Sequence, residues 1–118
     1  MTPVRLDFGD APTILCLGAH SDDIEIGAGG TILSLAAQYP DATIHWVVFS
    51  GVGERGEEAR ASAGFFTAGF ANRDIRILEY RDGFFPGEFT GLKETFQSIR
   101  GACDPDLVFT HYREDLHQ

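Results

Sequence analysis

Two almost unbroken apolar runs, Thr13–Gly18 (TILCLG) and Thr43–Phe49 (TIHWVVF), constrain this chain most. An alternating strand has one wet face. A run this continuous, with Ile44, Val47 and Val48 β-branched, belongs to a strand covered on both faces. Such strands need a helical layer above and below the sheet. The intervening sequence supplies it.

Gly30–Gln38 carries Ile32, Leu33, Leu35 and Ala36 and stops at Tyr39-Pro40. Glu57–Ala68 is alanine-rich, with Phe66 and Phe70 four apart and two acids in its first turn, where the helix dipole favours them. Gly91–Ala102 sets Leu92, Phe96, Ile99 and Cys103 on one stripe. Ile75–Glu79 and Asp106–Thr110 are shorter strand candidates, the second entered through Asp104-Pro105. The order βαβαβαβ predicts an α/β, Rossmann-like three-layer sandwich with a mostly parallel sheet in the order 3-2-1-4. Ligands in such sheets bind beyond the carboxyl ends of the strands, where the chain direction reverses, here between strands 1 and 4. The loops Ala19–Ile26 and His111–Gln118 should therefore face one crevice. Between them they hold His20, His111 and His117 and the acids Asp22, Asp23, Glu25, Glu114 and Asp115.

Composition excludes more than it assigns. A formal charge of −9 repels nucleic acid and anionic membranes. No stretch has the length of a membrane span, and Met1–Asp10 lacks a basic region followed by an apolar one, so a cytoplasmic protein is expected. Cys16 and Cys103 sit in apolar segments and read as buried thiols rather than a disulfide. With 118 residues and no linker or repeat, the chain reads as one unit.

The loop Ala19-His20-Ser21-Asp22-Asp23 offers an imidazole and a carboxylate from one short turn. Both are zinc ligand types, and a catalytic zinc takes three protein ligands and a water. Asp22, between them, is placed to act as a base. The competing reading is that Asp22 and Asp23 merely cap the next helix or make an Asx turn. The glycines Gly27, Gly29 and Gly30 fail the dinucleotide-binding spacing, because position 32 is Ile32, and are better explained by close backbone packing. Asp115 and His117 form an Asp-x-His pair in which the acid would orient the imidazole.

These residues resemble the signatures of the LmbE-like, or PIG-L, family of N-deacetylases. Ala19–Asp23 followed by Glu25-Ile26-Gly27 and Gly29-Gly30-Thr31 resembles A-H-P-D-D-E and its glycine–threonine stretch, with Ser21 in place of the proline. Pro105–His111 and Asp115–Gln118 resemble the run into a late H-x-x-H, and Asp82-Gly83 resembles a further family feature. The resemblance implies that His20 and Asp23 bind Zn2+ or another divalent metal, Asp22 is the general base and His117 the acid. The third ligand would be a histidine three residues after His117, past Gln118. Arg55 or Arg60 would correspond to an arginine of the family near the second helix, and Arg81 is a further candidate for holding substrate.

The expected function is hydrolysis of the acetamide of an N-acetylated sugar conjugate, giving acetate and an amino sugar. The expected domain is the N-terminal part, residues 1–118, of one larger deacetylase domain. By itself it would be inactive, with an exposed sheet edge that favours self-association. The competing functions are a non-catalytic nucleotide- or ligand-binding module and a two-metal phosphoesterase.

Overall fold

A computed structural model of the protein describes residues 7–116. Its elements are β1 (Thr13–His20), α1 (Asp23–Gln38), β2 (Thr43–Ser50), α2 (Glu54–Thr67), β3 (Asn72–Ile77), a 3-10 turn (Phe85–Glu88), α3 (Phe89–Ala102) and β4 (Leu107–Phe109). The four strands form one all-parallel sheet in the order β3-β2-β1-β4, as the sequence predicts. Pairing starts Thr13 against Thr43 and Ile14 against Leu107, so β1 and β2 end together at His20 and Ser50.

Successive residues of β1 serve opposite layers. Ile14 and Cys16 join Ile44, Trp46 and Val48 beneath α1 and α2, which contribute Ile24, Ile32, Ala36, Ala59 and Ala63. Leu15 joins Val47 and Phe49 beneath α3, which contributes Ile99 with Leu92 and Cys103 beside it. The apolar stripe read for α3 therefore faces the sheet. Phe96 is the exception: its ring lies 5.2 Å from that of Phe49, yet the side chain stays half exposed. Cys16 is buried, Cys103 half-buried, and both are free thiols.

Three elements differ most from expectation. Helix α1 begins at Asp23, not Gly30, so its glycines lie inside the helix and the connection after β1 shrinks to Ser21-Asp22. Packing overrides the weak helix propensity of glycine here. A Cβ on Gly29 would sit 2.8 Å from the Phe66 ring, so α1 and α2 need a bare backbone there. Helix α2 starts at Glu54, three residues early, behind Gly53, whose φ of 62° suits glycine alone. Strand β3 covers Asn72–Ile77 rather than Ile75–Glu79. As an edge strand it pairs through backbone on one side only, so Asn72, Arg73 and Asp74 can belong to it without an apolar pattern.

Candidate metal centre at the carboxyl ends of the strands

Four connections converge beyond the carboxyl ends of the parallel strands, and their first residues build the site. His20 is the last residue of β1, and Asp23 opens α1 after the two-residue turn. The turn is closed by the His20 amide, which donates to Asp23 Oδ2 at 2.8 Å. That bond brings the two side chains together, leaving His20 Nδ1 3.4 Å from Asp23 Oδ2. Ligands of a tetrahedral zinc at its usual bond lengths stand about 3.3 Å apart. The pair therefore fits two corners of such a site.

Asp22 occupies the N-cap position of α1, yet its side chain makes no cap hydrogen bond and is exposed. Helix capping thus accounts for neither acid: Asp22 points its carboxylate at solvent, and Asp23 spends its own on the turn.

The two predicted loops share one crevice. The Ala19 amide donates to His111 Nε2 at 2.9 Å, and the same nitrogen lies 3.3 Å from Asp23 Oδ2. A cavity of about 260 Å³ opens between them, lined by Asp23, Gly27, Thr110, His111 and Tyr112 among others. His111 suits a structural role better than a ligand role, because its Nε2 lone pair already accepts the Ala19 hydrogen. Its other nitrogen, Nδ1, lies 3.5 Å from Asp115 Oδ2. His117 lies outside the described residues, so its pairing with Asp115 is not placed. Among the described residues no three His, Cys, Asp or Glu side chains converge on one metal position.

Strand β2 delivers Arg55. Gly51 and Gly56 touch so closely that a Cβ on Gly56 would stand 2.3 Å from the Gly51 carbonyl oxygen. This contact seats the first turn of α2 on the end of β2 and places Arg55 Nη1 3.8 Å from Asp82 Oδ2. Arg60, further along the same helix, is exposed and makes no ion pair among the described residues. Arg81 stacks its guanidinium 3.8 Å above the Phe84 ring. Of the three arginines, Arg55 is the one linked to the site.

Sequence reasoning missed the role of Asp82. Its Oδ1 lies 2.8 Å from His20 Nε2, across a separation of 62 residues. Phe85, three positions on, stacks on the His20 ring with centroids 5.8 Å apart and planes 13° apart. The only sequence signal was the Asp82-Gly83 pair, with Gly83 at φ 80° turning the chain after β3. The glycines of α1 lie inside a helix rather than in a phosphate-cradling turn.

The chain superposes on the solved structure of N,N'-diacetylchitobiose deacetylase from Pyrococcus horikoshii, complexed with its inhibitor MPG, with a TM-score of 0.59 and 26% identity. The alignment covers 92% of this chain and 45% of that one, so the chain spans less than half the length of this relative. A family model described as PIG-L: GlcNAc-PI de-N-acetylase matches residues 15–118, taking in both the His20–Asp23 turn and the His111 loop. The chain belongs to the PIG-L family.

Proposed function

We propose that this sequence forms the metal-binding half of a zinc-dependent N-deacetylase that releases acetate from an N-acetylated sugar conjugate. The observation that carries the reading is the 3.4 Å approach of His20 Nδ1 to Asp23 Oδ2 at the carboxyl end of β1. Family membership and the deacetylase relative support the reaction class. A divalent metal held by this pair would supply Lewis-acid chemistry, polarising the acetamide carbonyl and acidifying water to a pKa of about 7.

The chain's own residues do the rest. Asp22, exposed and free of any cap bond, takes a proton from the attacking water and returns it to the departing amine. His117, by its place in the family motif, donates a hydrogen bond to the developing oxyanion. Asp82, in contact with His20, and Arg55 beside Asp82 carry acceptors and donors suited to sugar hydroxyls. Among the described residues only two ligands come together, so the 118 residues alone bind zinc weakly and turn over no substrate.

The test is a zinc titration of the chain beside its Asp23→Ala variant. Weak binding that the substitution abolishes supports the site, and identical curves exclude it. Release of amine from an N-acetylglucosaminyl conjugate by a longer form that supplies the third ligand, lost after chelation, tests the reaction.

A further inference from the structure

We propose that Asp82 and Phe85 are positioning residues for His20, fixing its tautomer and ring plane and so setting the affinity of the His20–Asp23 pair for a divalent metal. The affinity half of this proposal rests on the deacetylase reading of that pair; the positioning half does not.

An imidazole on a strand end has two freedoms that matter to a metal: the plane of the ring, and which edge it turns outward. Phe85 restricts the first. Its ring lies nearly parallel to that of His20, and it is itself wedged edge-on against Tyr80, with centroids 6.4 Å apart. Tyr80 is pinned in turn by a 2.7 Å hydrogen bond between its hydroxyl and Thr95 Oγ1 on α3. A Cβ on Gly91 would come within 3.2 Å of the Tyr80 ring, so α3 sits as close as it can. The aromatic wall beside His20 is thus anchored to a helix rather than to a loose loop.

Asp82 restricts the second freedom. With the plane fixed, half a turn of the ring would present carbon to the carboxylate instead of Nε2 and forfeit a 2.8 Å hydrogen bond. An ionised carboxylate only accepts, so the 2.8 Å bond requires the hydrogen on Nε2, while the longer 3.4 Å approach of Nδ1 to Asp23 does not require one there. The lone pair of the neutral ring is then on Nδ1, the nitrogen that faces Asp23 Oδ2. Arg55 Nη1 lies 3.8 Å from the other oxygen of Asp82. Metal-binding histidines commonly give their second N–H to a carboxylate, which orients the ring and raises its basicity.

The experiment is side-chain nitrogen NMR of the metal-free chain, with the His20 signals identified by their loss in His20→Gln. Wild type is expected to show His20 as the Nε2–H tautomer. Asp82→Ala should shift it toward a mixture with the Nδ1–H form and weaken zinc binding roughly 10- to 100-fold. Phe85→Ala should weaken zinc binding while keeping the tautomer, and Phe85→Tyr should restore wild-type affinity. Circular dichroism confirms that each variant is folded. A His20 tautomer that is Nδ1–H in wild type, or unmoved by Asp82→Ala, overturns the positioning half with the metal site intact. Failure of wild type to bind zinc at Asp23 overturns the affinity half together with the deacetylase reading, while the spectra still decide the positioning.

Discussion

His111 accepts the backbone hydrogen of Ala19 at Nε2, 2.9 Å away and 92 residues distant in sequence, tying the end of β1 to the loop after β4. Strand β4 has only three residues, so this side-chain bond extends the contact between the two segments beyond the ladder. His111→Ala leaves a part-buried amide without its acceptor and should cost about 1–3 kcal/mol in urea unfolding. His111→Gln, which retains an acceptor, should recover much of that loss. Zinc affinity should stay within a few fold of wild type in His111→Gln, because His111 is not read as a ligand; a complete loss would make it one.

Asp22 and Asp23 are adjacent acids to which the proposed function gives separable duties. Asp22→Ala removes no cap bond, so thermal stability and zinc affinity should hold, while turnover of an N-acetyl sugar, measured in a longer form that supplies the third ligand, should fall about 10²- to 10⁴-fold. Asp23→Ala removes a proposed ligand and also the acceptor of the His20 amide, so it should lower stability as well as abolish metal binding. A zinc loss in Asp22→Ala equal to that in Asp23→Ala would refute the division of roles.

The sheet and its order were legible because buried parallel strands leave an unmistakable mark, and β1 and β2 carry it. The crevice between the loops after β1 and β4 followed from that order alone. What stayed hidden has local causes. The start of α1 was obscured by Gly27, Gly29 and Gly30, whose helical state depends on packing against α2 rather than on propensity. Strand β3 begins in polar residues because an edge strand needs no apolar run. The link from Asp82 to His20 was invisible because one acid in a loop carries no spacing signal, and only the folded chain closes those 62 residues.

The glycines of α1 divide into two kinds, and substitution should separate them. Gly30 has open space where a Cβ would go, so Gly30→Ala should stabilise the protein by about 0.5–1 kcal/mol through helix propensity. Gly29→Ala would push a methyl to 2.8 Å from Phe66, which stacks on Trp46, and should cost about 1–3 kcal/mol. Opposite signs for neighbouring Gly→Ala changes, measured by denaturant midpoint, would confirm that α1 starts upstream of both. Two destabilising changes would argue against the helical placement of Gly30.

Cys16 provides the pH prediction. Burial in the β1 layer pushes its thiol from the ordinary 9.0 up to about 12, so the folded state keeps the proton that the unfolded chain releases. Between these values the unfolded chain binds fewer protons than the native one, and stability must fall as pH rises. The slope from this one group is about 1.4 kcal/mol per pH unit, beginning near pH 9.0 and ending near 12, with no contribution below. Cys16→Ala should remove that component of the alkaline decline, although the lost sulfur lowers stability at neutral pH through the cavity it leaves. A thiol reagent at pH 8 should modify the half-buried Cys103 well before Cys16, which reacts only as the protein unfolds. Equal labelling rates in the native protein would show that the β1 layer opens without global unfolding, contrary to its place at the centre of the sheet.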